Sequence, residues 1–465
     1  MSLLESIRQR VRGLSGRRKT VGLFVATSLC ARTVGICCQM FQIPLAVKAL
    51  GQEAFGLWMT ITGIGYMLTF ADIGMGQGAQ NKLAEAFASG GTNRARELFG
   101  SVAAFLVLVG LILATVVACL VPALNFTALF HLTNPAVQIE APWAITVSLL
   151  LFCLGFPLGL AQRLAYSRQR GWMHNIAQGL GGIGSLSGVF LAAHFHKGLV
   201  EFIVGAQIPG LLANAVLLSI QLIQLGWFKL RLIRWHWETI RELLGLGAYF
   251  GLAQVQNILL NAFPQLIIST CLGAAAVTPY NLAQRFFNLF AIVQNAFLLP
   301  LWPAYTEAKA RGEFGWIRRT LTRSLRATGF FTILPMAFGA LFAKKLLGLW
   351  VGRHTALPSE SLIWLLFSWN ALGFFTQCFG YLLMGVSEMK RNTYYSLLST
   401  GLIAGLMTII VRPLGREGVV IAMIIGYMPF LILGNVAETI RYLRRARGEN
   451  KTSVVLTESI PSAVE

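Results

Sequence analysis

Three charged residues interrupt long apolar stretches of the sequence: Arg32, Asp72 and Arg285. If these stretches cross a bilayer, a charge at the centre costs about 2.5–3.5 kcal/mol on insertion scales, so each side chain should face a cavity or a partner. A guanidinium group keeps its charge and forms paired hydrogen bonds with phosphate oxygens. Arg32 and Arg285 are therefore candidate ligands for an anionic group.

Asp72 is open to two interpretations. It is a candidate site for a proton or cation whose movement across the membrane would be coupled to transport. Alternatively its role is structural, either in an ion pair with Arg32 on the preceding predicted helix or as a local cap or partner in its glycine-rich run, which holds Gly74, Gly76 and Gly78. The glycine-rich context favours the structural interpretation.

Amide side chains are frequent in the same apolar stretches. Gln254, Asn257 and Asn261 recur at helical spacing and predict a polar face on one helix. An amide donates and accepts hydrogen bonds at once, which suits sugar hydroxyls, but amides also hold membrane helices together. Their number favours a hydrated cavity, and the predicted cavity wall consists of Gln39, Gln42, Gln254, Asn257, Asn261, Gln284 and Asn288.

The composition places these residues in a membrane protein. The 465-residue chain is 55% hydrophobic and only 12% charged, with a mean hydropathy of +0.65, whereas soluble domains carry about 25% charged residues. The seven cysteines all fall in apolar stretches without ligand spacing, so we expect neither disulfides nor a metal site. The sequence also contains no nucleotide-binding or hydrolase motif.

We predict an all-α polytopic fold of twelve transmembrane helices, because a span needs about 20 apolar residues. Lysine and arginine collect in alternate loops, which places both termini in the cytoplasm and explains the net charge of +20 without nucleic acid. The predicted spans are 21–47, 54–80, 99–122, 142–165, 175–195, 200–225, 243–272, 276–302, 327–350, 361–386, 393–412 and 418–440.

The two halves of the chain resemble one another. With an offset of 222 residues, the EAxAxG pattern at 85–90 matches the same pattern at 307–312. Two six-helix copies share one orientation, which predicts two bundles related by a parallel pseudo-two-fold axis around a central cavity. The predicted organisation is an interfacial cytoplasmic helix (1–19), an N-terminal bundle (20–225), a cytoplasmic linker helix (226–242), a C-terminal bundle (243–440) and a cytoplasmic tail (441–465).

Two segments of the chain resemble a known family. The runs LGQEAFGLWMTITGIGYMLTFADIGMGQGAQNKLAEAFASG (50–90) and LGAAAVTPYNLAQRFFNLFAIVQNAFLLPLWPAYTEAKARGEFGWIRR (272–319) look like the polysaccharide transporters, which include the Wzx-type O-antigen and capsule repeat-unit flippases. This family belongs to the superfamily of multidrug, oligosaccharidyl-lipid and polysaccharide exporters.

The resemblance implies a function in the bacterial inner membrane. The implied substrate is an undecaprenyl-pyrophosphate-linked oligosaccharide, moved from the cytoplasmic to the periplasmic leaflet by alternating access. Arg32 and Arg285 would then hold the pyrophosphate, and Asp72 would couple transport to an H⁺ or Na⁺ gradient, with no bound cofactor. Candidate partners are the anionic substrate, membrane lipids, a polysaccharide polymerase and a chain-length regulator.

Three alternatives stay open at this point. A lipid II flippase or a multidrug or cation antiporter would share the fold, although two arginines against one aspartate disfavour a cationic substrate. An integral-membrane polysaccharide polymerase or ligase is the alternative from another class. Such enzymes carry a large outer loop with basic residues, and the longest outer loop predicted here, 122–141, has no lysine or arginine.

Overall fold

The computed structural model describes residues 3–72, 74–227, 236–352, 356–386, 388 and 390–445. Side chains are described for these residues except 3–26, 29, 77, 244–253, 303, 390, 392 and 432. Within this part of the chain every regular element is helical, in agreement with the predicted all-α class. The side chains of the predicted interfacial helix, residues 228–235 of the predicted linker, and positions 446–465 of the predicted tail lie outside the described residues.

The chain divides into two compact units, which are Met1–Ile258 with Gly273–Ala275, and Leu259–Leu272 with Ala276–Glu465. The helices up to the division are α1 (Leu3–Leu68), α2 (Met75–Ala88), α3 (Thr92–Leu120), α4 (Phe126–Leu129), α5 (Pro135–Leu158), α6 (Leu160–Ser167), α7 (Gly171–His194), α8 (Leu199–Gln224) and α9 (Trp237–Asn261). Short 3₁₀ turns occupy Thr69–Asp72 and Val121–Ala123.

The helices that follow include two π-helical segments. They are α10 (Phe263–Leu272), α11 (Val277–Asn288), α12 (Phe290–Leu298), α13 (Leu301–Ala310), α14 (Phe314–Ala327), α15 (Leu334–Val351), α16 (Glu360–Gly385) and α17 (Lys390–Pro429). The π-helical segments are Thr328–Ile333 and Phe430–Ala437, and a 3₁₀ turn spans Ala274–Ala276.

Nine helical stretches in the described part of the chain are long and apolar enough to cross a membrane. Two of them are much longer than one span, with 43 residues at Cys30–Asp72 and 53 at Thr393–Arg445, and α1 and α17 turn sharply at Gly51 (φ 78°) and Gly415 (φ 63°). Glycine adopts a positive φ without a Cβ penalty, so these residues allow the bends. The predicted span at 276–302 is divided among α11, α12 and α13, and the count of twelve spans and the pseudo-two-fold axis stay predictions.

Glycines bring α7 and α8 into close contact in the first unit. A Cβ on Gly188 would lie 2.3 Å from the Gly205 carbonyl oxygen, and a Cβ on Gly181 would lie 3.1 Å from the Gly210 Cα. Small residues at a crossing allow two membrane helices to pack backbone against backbone, where dispersion contacts replace the missing hydrophobic effect.

The predicted linker contributes to the core of the first unit. Trp227 stacks on Phe87 with ring centroids 6.0 Å apart, and Ile240 and Leu243 at the start of α9 are fully buried in the same cluster. The described ends of the 226–242 segment therefore pack against α2 and α3.

Candidate functional site

The break between α1 and α2 is built around Asp72. The 3₁₀ turn Thr69–Asp72 ends α1, and Gly74 takes a left-handed conformation (φ 69°) just before α2 begins. Asp72 is 6% exposed, and its Oδ1 accepts a hydrogen bond of 2.8 Å from the Gly76 backbone N–H. A carboxylate at this position satisfies an orphan N–H of the first helical turn and complements the positive end of the helix dipole.

Arg163 on α6 is the ionic partner of Asp72. Its Nη2 lies 2.5 Å from Asp72 Oδ2, and both side chains are largely buried. A Cβ on Gly76 would lie 1.8 Å from Arg163 Cζ, so the guanidinium lies directly over this glycine. The glycine-rich run thus makes room for a buried ion pair between α6 and the helix break, and Asp72 is not paired with Arg32.

Arg32 lies on α1 with an exposed side chain. It forms no ion pair with any carboxylate in the part of the chain that the structure describes. Two amides follow it on the same helix. Gln39 is exposed, whereas Gln42 is half-buried and its Nε2 donates a hydrogen bond of 3.2 Å to Ser185 Oγ on α7.

Two of the predicted amides on α9 contact the end of α1 and the turn after it. Gln254 Nε2 donates to the Thr69 carbonyl oxygen at 2.8 Å and to Thr69 Oγ1 at 3.1 Å. Asn257 Oδ1 accepts a hydrogen bond of 3.0 Å from the Tyr66 hydroxyl. These bonds hold the middle of α9 against the residues that immediately precede Asp72. Asn261, one turn further on, is exposed, and its carbonyl oxygen accepts from Gln265 Nε2 at 3.4 Å.

The C-terminal part of α11 carries the predicted residues of the second unit. Arg285 is half-buried in the last turn of this helix, where a cation complements the negative end of the helix dipole. Gln284 Nε2 donates to Asn288 Oδ1 at 3.2 Å. Gln284 Oε1 is buried and accepts no hydrogen bond from the described residues. This stretch therefore combines a guanidinium, a buried amide acceptor without a donor among the described residues, and the exposed side chain of Asn288.

Gln294 occupies the position that the repeat aligns with Asp72, and it has a packing role. It is completely buried, its Nε2 donates to Thr328 Oγ1 (3.0 Å) and to the Phe374 carbonyl oxygen (3.1 Å), and its Oε1 accepts from Thr332 Oγ1 (2.9 Å). One amide thus joins α12, a π-helical segment and α16. The interhelical interpretation of the amides applies to Gln294.

An ionic cluster fastens the start of α9 to α2 and α3. The Glu242 carboxylate contacts Lys82 Nζ at 3.2 Å and Arg94 Nη2 at 3.2 Å, and Arg94 also pairs with Glu97 at 2.6 Å. Hydrogen bonds from Lys82 to Glu242 and to Glu85 raise the pKa of Lys82. All these side chains are partly exposed, so the cluster orients the helix start more than it stabilises the fold.

A second basic group lies between α6 and α7. Burial, with a smaller contribution from Arg170, lowers the pKa of Arg168. Arg168 Nη1 is buried and finds no acceptor among the described residues, whereas Arg170 Nη1 donates to Gln224 Oε1 at 2.8 Å.

The residue that sequence reasoning missed is Arg163. In the sequence it lies within eight positions of Arg168 and Arg170, at the end of the predicted span 142–165, so it resembles the basic residues of a cytoplasmic loop. The structure instead places Arg163 inside α6, paired with Asp72. An unpaired intramembrane aspartate was the available signal, since such a carboxylate requires a cation.

The described residues contain no group of three or more histidine, cysteine, aspartate or glutamate side chains arranged to hold a metal ion.

The fold is shared with membrane transporters of known structure. A multidrug-resistance transporter of the MATE family, in an inward-facing conformation, aligns with 90% of this chain and 99% of its own, with a TM-score of 0.74 and 14% identity. The lipid II flippase MurJ, in an inward closed conformation, aligns with 95% of this chain and 93% of its own, with a TM-score of 0.66 and 14% identity. These two alignments define the fold class of the chain, which is a fold found in membrane transporters and flippases.

A match to a protein-family model identifies the family of this chain within that fold class. The model described as "polysaccharide biosynthesis protein" matches residues 25–309, and the chain belongs to this family. A protein of Salmonella typhi named as an O-antigen transporter is 20% identical over 321 residues, which cover 69% of this chain and 72% of that protein. The relative and both structural neighbours are named as transporters or flippases, and none is named as an enzyme. The family resemblance drawn from residues 50–90 and 272–319 is confirmed.

Proposed function

We propose that this protein moves an undecaprenyl-pyrophosphate-linked oligosaccharide repeat unit from the cytoplasmic to the periplasmic leaflet of the inner membrane. The product would serve the synthesis of a surface polysaccharide. The observation that carries this proposal is the family match over residues 25–309, together with the similarity to a protein named as an O-antigen transporter. The alternative of a polymerase or ligase has no support from these relatives.

Arg32 and Arg285 are the proposed ligands of the pyrophosphate. Both are arginines within helices of an apolar chain. Arg32 is exposed on α1, and Arg285 is half-buried in the last turn of α11. A guanidinium provides a permanent charge and paired donors for phosphate oxygens. The proposed sugar contacts are the amides of α1, α9 and α11. Asn288 is the best placed for this role because its side chain is exposed. Gln284 Oε1 next to it is a buried acceptor that receives no hydrogen bond from the described residues.

Alternating access coupled to an H⁺ or Na⁺ gradient is the proposed mechanism. Asp72 is the candidate coupling group. Because it is paired with Arg163, coupling requires that the bound proton or cation weaken this ion pair. A proton or cation that binds Asp72 competes with the guanidinium, so loading would release α6 from the helix break. Export by the Asp72→Asn variant should then lose its dependence on pH or Na⁺, and an unchanged dependence would exclude Asp72.

Deletion of the gene tests the proposal in cells. The mutant should lack long surface polysaccharide and accumulate lipid-linked oligosaccharide with its sugars in the cytoplasmic leaflet. Re-expression of the wild-type chain should restore both. Normal surface polysaccharide with increased drug sensitivity would contradict the proposal and favour a multidrug exporter.

A further inference from the structure

One face of the helix formed by α14, the following π-helical segment and α15 presents arginines to its surroundings. Arg318, Arg319, Arg323 and Arg326 are all exposed on α14. None of them forms an ion pair within the part of the chain that the structure describes. We call these four residues the arginine stripe.

The arginine stripe lies opposite the packed face of α14. Four side chains of α14 are buried within the second unit, namely Ile317, Thr320, Leu321 and Ser324. At 3.6 residues per turn, Arg319, Arg323 and Arg326 fall within about 60° of one another on the other side of the axis. Arg318 lies about 80° or more to one side of these three. Trp316 fixes the start of the helix by an edge contact with Tyr305, with ring centroids 5.9 Å apart. The packing of α14 therefore directs the arginines away from the bundle.

The exposed face becomes apolar directly after the arginine stripe. Along the π-helical segment and α15, large side chains that are 58–65% exposed replace the arginines, namely Phe330, Phe331, Leu334, Phe338 and Leu341. The whole stretch Phe314–Val351 is one of those apolar and long enough to cross a membrane. If this stretch crosses a bilayer, its exposed phenylalanine and leucine side chains would contact acyl chains. The adjoining arginines would then lie at the depth of the lipid phosphates.

The axial positions of the arginines match the depth of the headgroup layer. A bilayer has a hydrocarbon core of about 30 Å within a total of about 40–45 Å, which leaves about 5–8 Å of headgroups on each side. Arg326 immediately precedes the apolar run that begins at Ala327, and Arg323 lies about 4.5 Å further out along the axis. In a helix that crosses the bilayer, these two arginines would be level with the phosphates, and Arg318 and Arg319 would reach the aqueous edge of the headgroup layer.

The other copy of the repeat lacks this feature. At the offset of 222 residues, the stripe positions correspond to Arg96, Glu97, Ser101 and Ala104, of which only Arg96 is basic. The neighbouring Arg94 is neutralised by Glu97 and Glu242. The arginine stripe is therefore not a requirement of the repeated helix itself. A general need for positive charge in cytoplasmic loops also does not explain why these arginines lie on the exposed side of the helix.

We propose that the arginine stripe binds the phosphate headgroups of anionic phospholipids in the cytoplasmic leaflet and so anchors this helix at the membrane surface. The occupant is an anionic phospholipid such as phosphatidylglycerol, because the partner must combine a phosphate at the depth of Arg323 and Arg326 with acyl chains beside Phe330 and Leu334. The proposal depends on the membrane-spanning fold and not on the transported substrate.

Lipid retention by the purified full-length protein tests the proposal. Native mass spectrometry of protein exchanged into detergent with equal amounts of phosphatidylglycerol and phosphatidylcholine should show a preference for phosphatidylglycerol in the wild type. In the triple variant R319Q/R323Q/R326Q this preference should fall by about tenfold or more at low salt. The R319K/R323K/R326K variant should keep most of it, because the charges remain.

The matched control is Arg311→Gln, which removes an exposed arginine that precedes α14 and pairs with Glu307. It should retain the wild-type preference. Thermal unfolding of each variant identifies any loss of fold. If the glutamine variant is unstable, the preference for phosphatidylglycerol is compared between the lysine variant and the wild type. Unchanged retention of phosphatidylglycerol by a folded glutamine variant would overturn the proposal. The proposal would also be overturned if inorganic phosphate displaced phosphatidylglycerol from the protein as effectively as added phosphatidylglycerol does. Preferential displacement by a polyprenyl diphosphate would contradict it as well, because that result would assign the arginine stripe to the transported lipid.

Discussion

Asp72 and Arg163 form the buried ion pair that defines the break between α1 and α2. Their side chains are 8% and 21% exposed, and the Asp72 carboxylate also caps α2 through Gly76. A buried pair adds little net stability compared with apolar residues, but removal of one partner leaves the other charge without compensation. The pair therefore specifies the local structure more than it stabilises it.

Loss of either partner should destabilise the protein. We expect Asp72→Asn and Arg163→Gln each to lower the free energy of unfolding by about 3–5 kcal/mol, the cost of an unpaired buried charge or broken network. Thermal unfolding of the purified protein in detergent measures the effect. The control is Arg311→Gln, which breaks an exposed pair with Glu307 and should cost about 0–1 kcal/mol. Equal stability of all three variants would contradict this account.

Arg285 tests the proposed pyrophosphate site. Arg285→Ala should reduce export of the oligosaccharide by about tenfold or more, because charge-assisted hydrogen bonds contribute about 1.5–3 kcal/mol each. Arg285→Lys should retain part of the activity, since it keeps the charge and loses the paired donors. Surface polysaccharide is measured beside the amount of inserted protein. Normal export by the alanine variant would remove Arg285 from the site.

At the scale of residues, the sequence identified the candidates but not all their partners. Arg32, Asp72 and Arg285 stand out because each is a charge in an apolar run. Arg163 could not be assigned to Asp72, since the two are 91 positions apart and only the packing of α6 against α2 brings them together. The amides present the same difficulty. Composition does not separate Gln294, buried among three elements, from Gln284, whose Oε1 accepts no hydrogen bond from the described residues.

Glycine contacts determine how α7 and α8 pack. Gly205 and Gly188 meet backbone to backbone, whereas Gly210 on the same helix has open space around the position of a Cβ. These two glycines of α8 therefore provide a matched pair for a test of the crossing.

Substitution at Gly205 should separate the helices, and substitution at Gly210 should not. A Cβ on Gly205 would lie 2.7 Å from the Gly188 carbonyl carbon. Because this is a backbone atom, the contact can be relieved only if one of the two helices shifts. We expect Gly205→Ala to lower the free energy of unfolding by about 1–3 kcal/mol, as overpacking does. Gly210→Ala should be neutral or slightly stabilising, because alanine is the better helix former. Thermal unfolding compares the two variants, and a reversed order would refute the assigned crossing.

At the scale of elements, hydropathy predicted where apolar helices lie but not how they break. The spans at 99–122, 175–195 and 200–225 correspond to α3, α7 and α8. The span predicted at 276–302 is divided among α11, α12 and the start of α13, and Leu289 and Pro300 between these segments keep right-handed helical angles. Proline removes a backbone donor and disrupts the preceding turn, but whether it kinks or interrupts a membrane helix depends on neighbours that can satisfy the freed carbonyls.

For the whole molecule, the sequence motifs were more informative than composition. Composition and loop charge established a polytopic membrane protein, and a net charge of +20 needed no nucleic-acid partner. The runs at 50–90 and 272–319 pointed to the family, which the model match over 25–309 confirmed. The substrate could not follow from the same observations, because proteins named for multidrug resistance and for lipid II share this fold at 14% identity.

Translocation by the purified protein is the most direct test of the central claim. The full-length chain is reconstituted into liposomes with a fluorescent polyprenyl-diphosphate oligosaccharide in both leaflets, and a membrane-impermeant reagent that modifies sugars is added outside. With the protein present and an ion gradient imposed, nearly all the labelled lipid should become modified. Protein-free liposomes should stop near the half that faces outward, and the Arg285→Ala variant should modify the inner half about tenfold more slowly than the wild type. Modification that stops at half with the wild-type protein, while the same liposomes accumulate a cationic drug, would contradict the assignment as an oligosaccharide-lipid flippase.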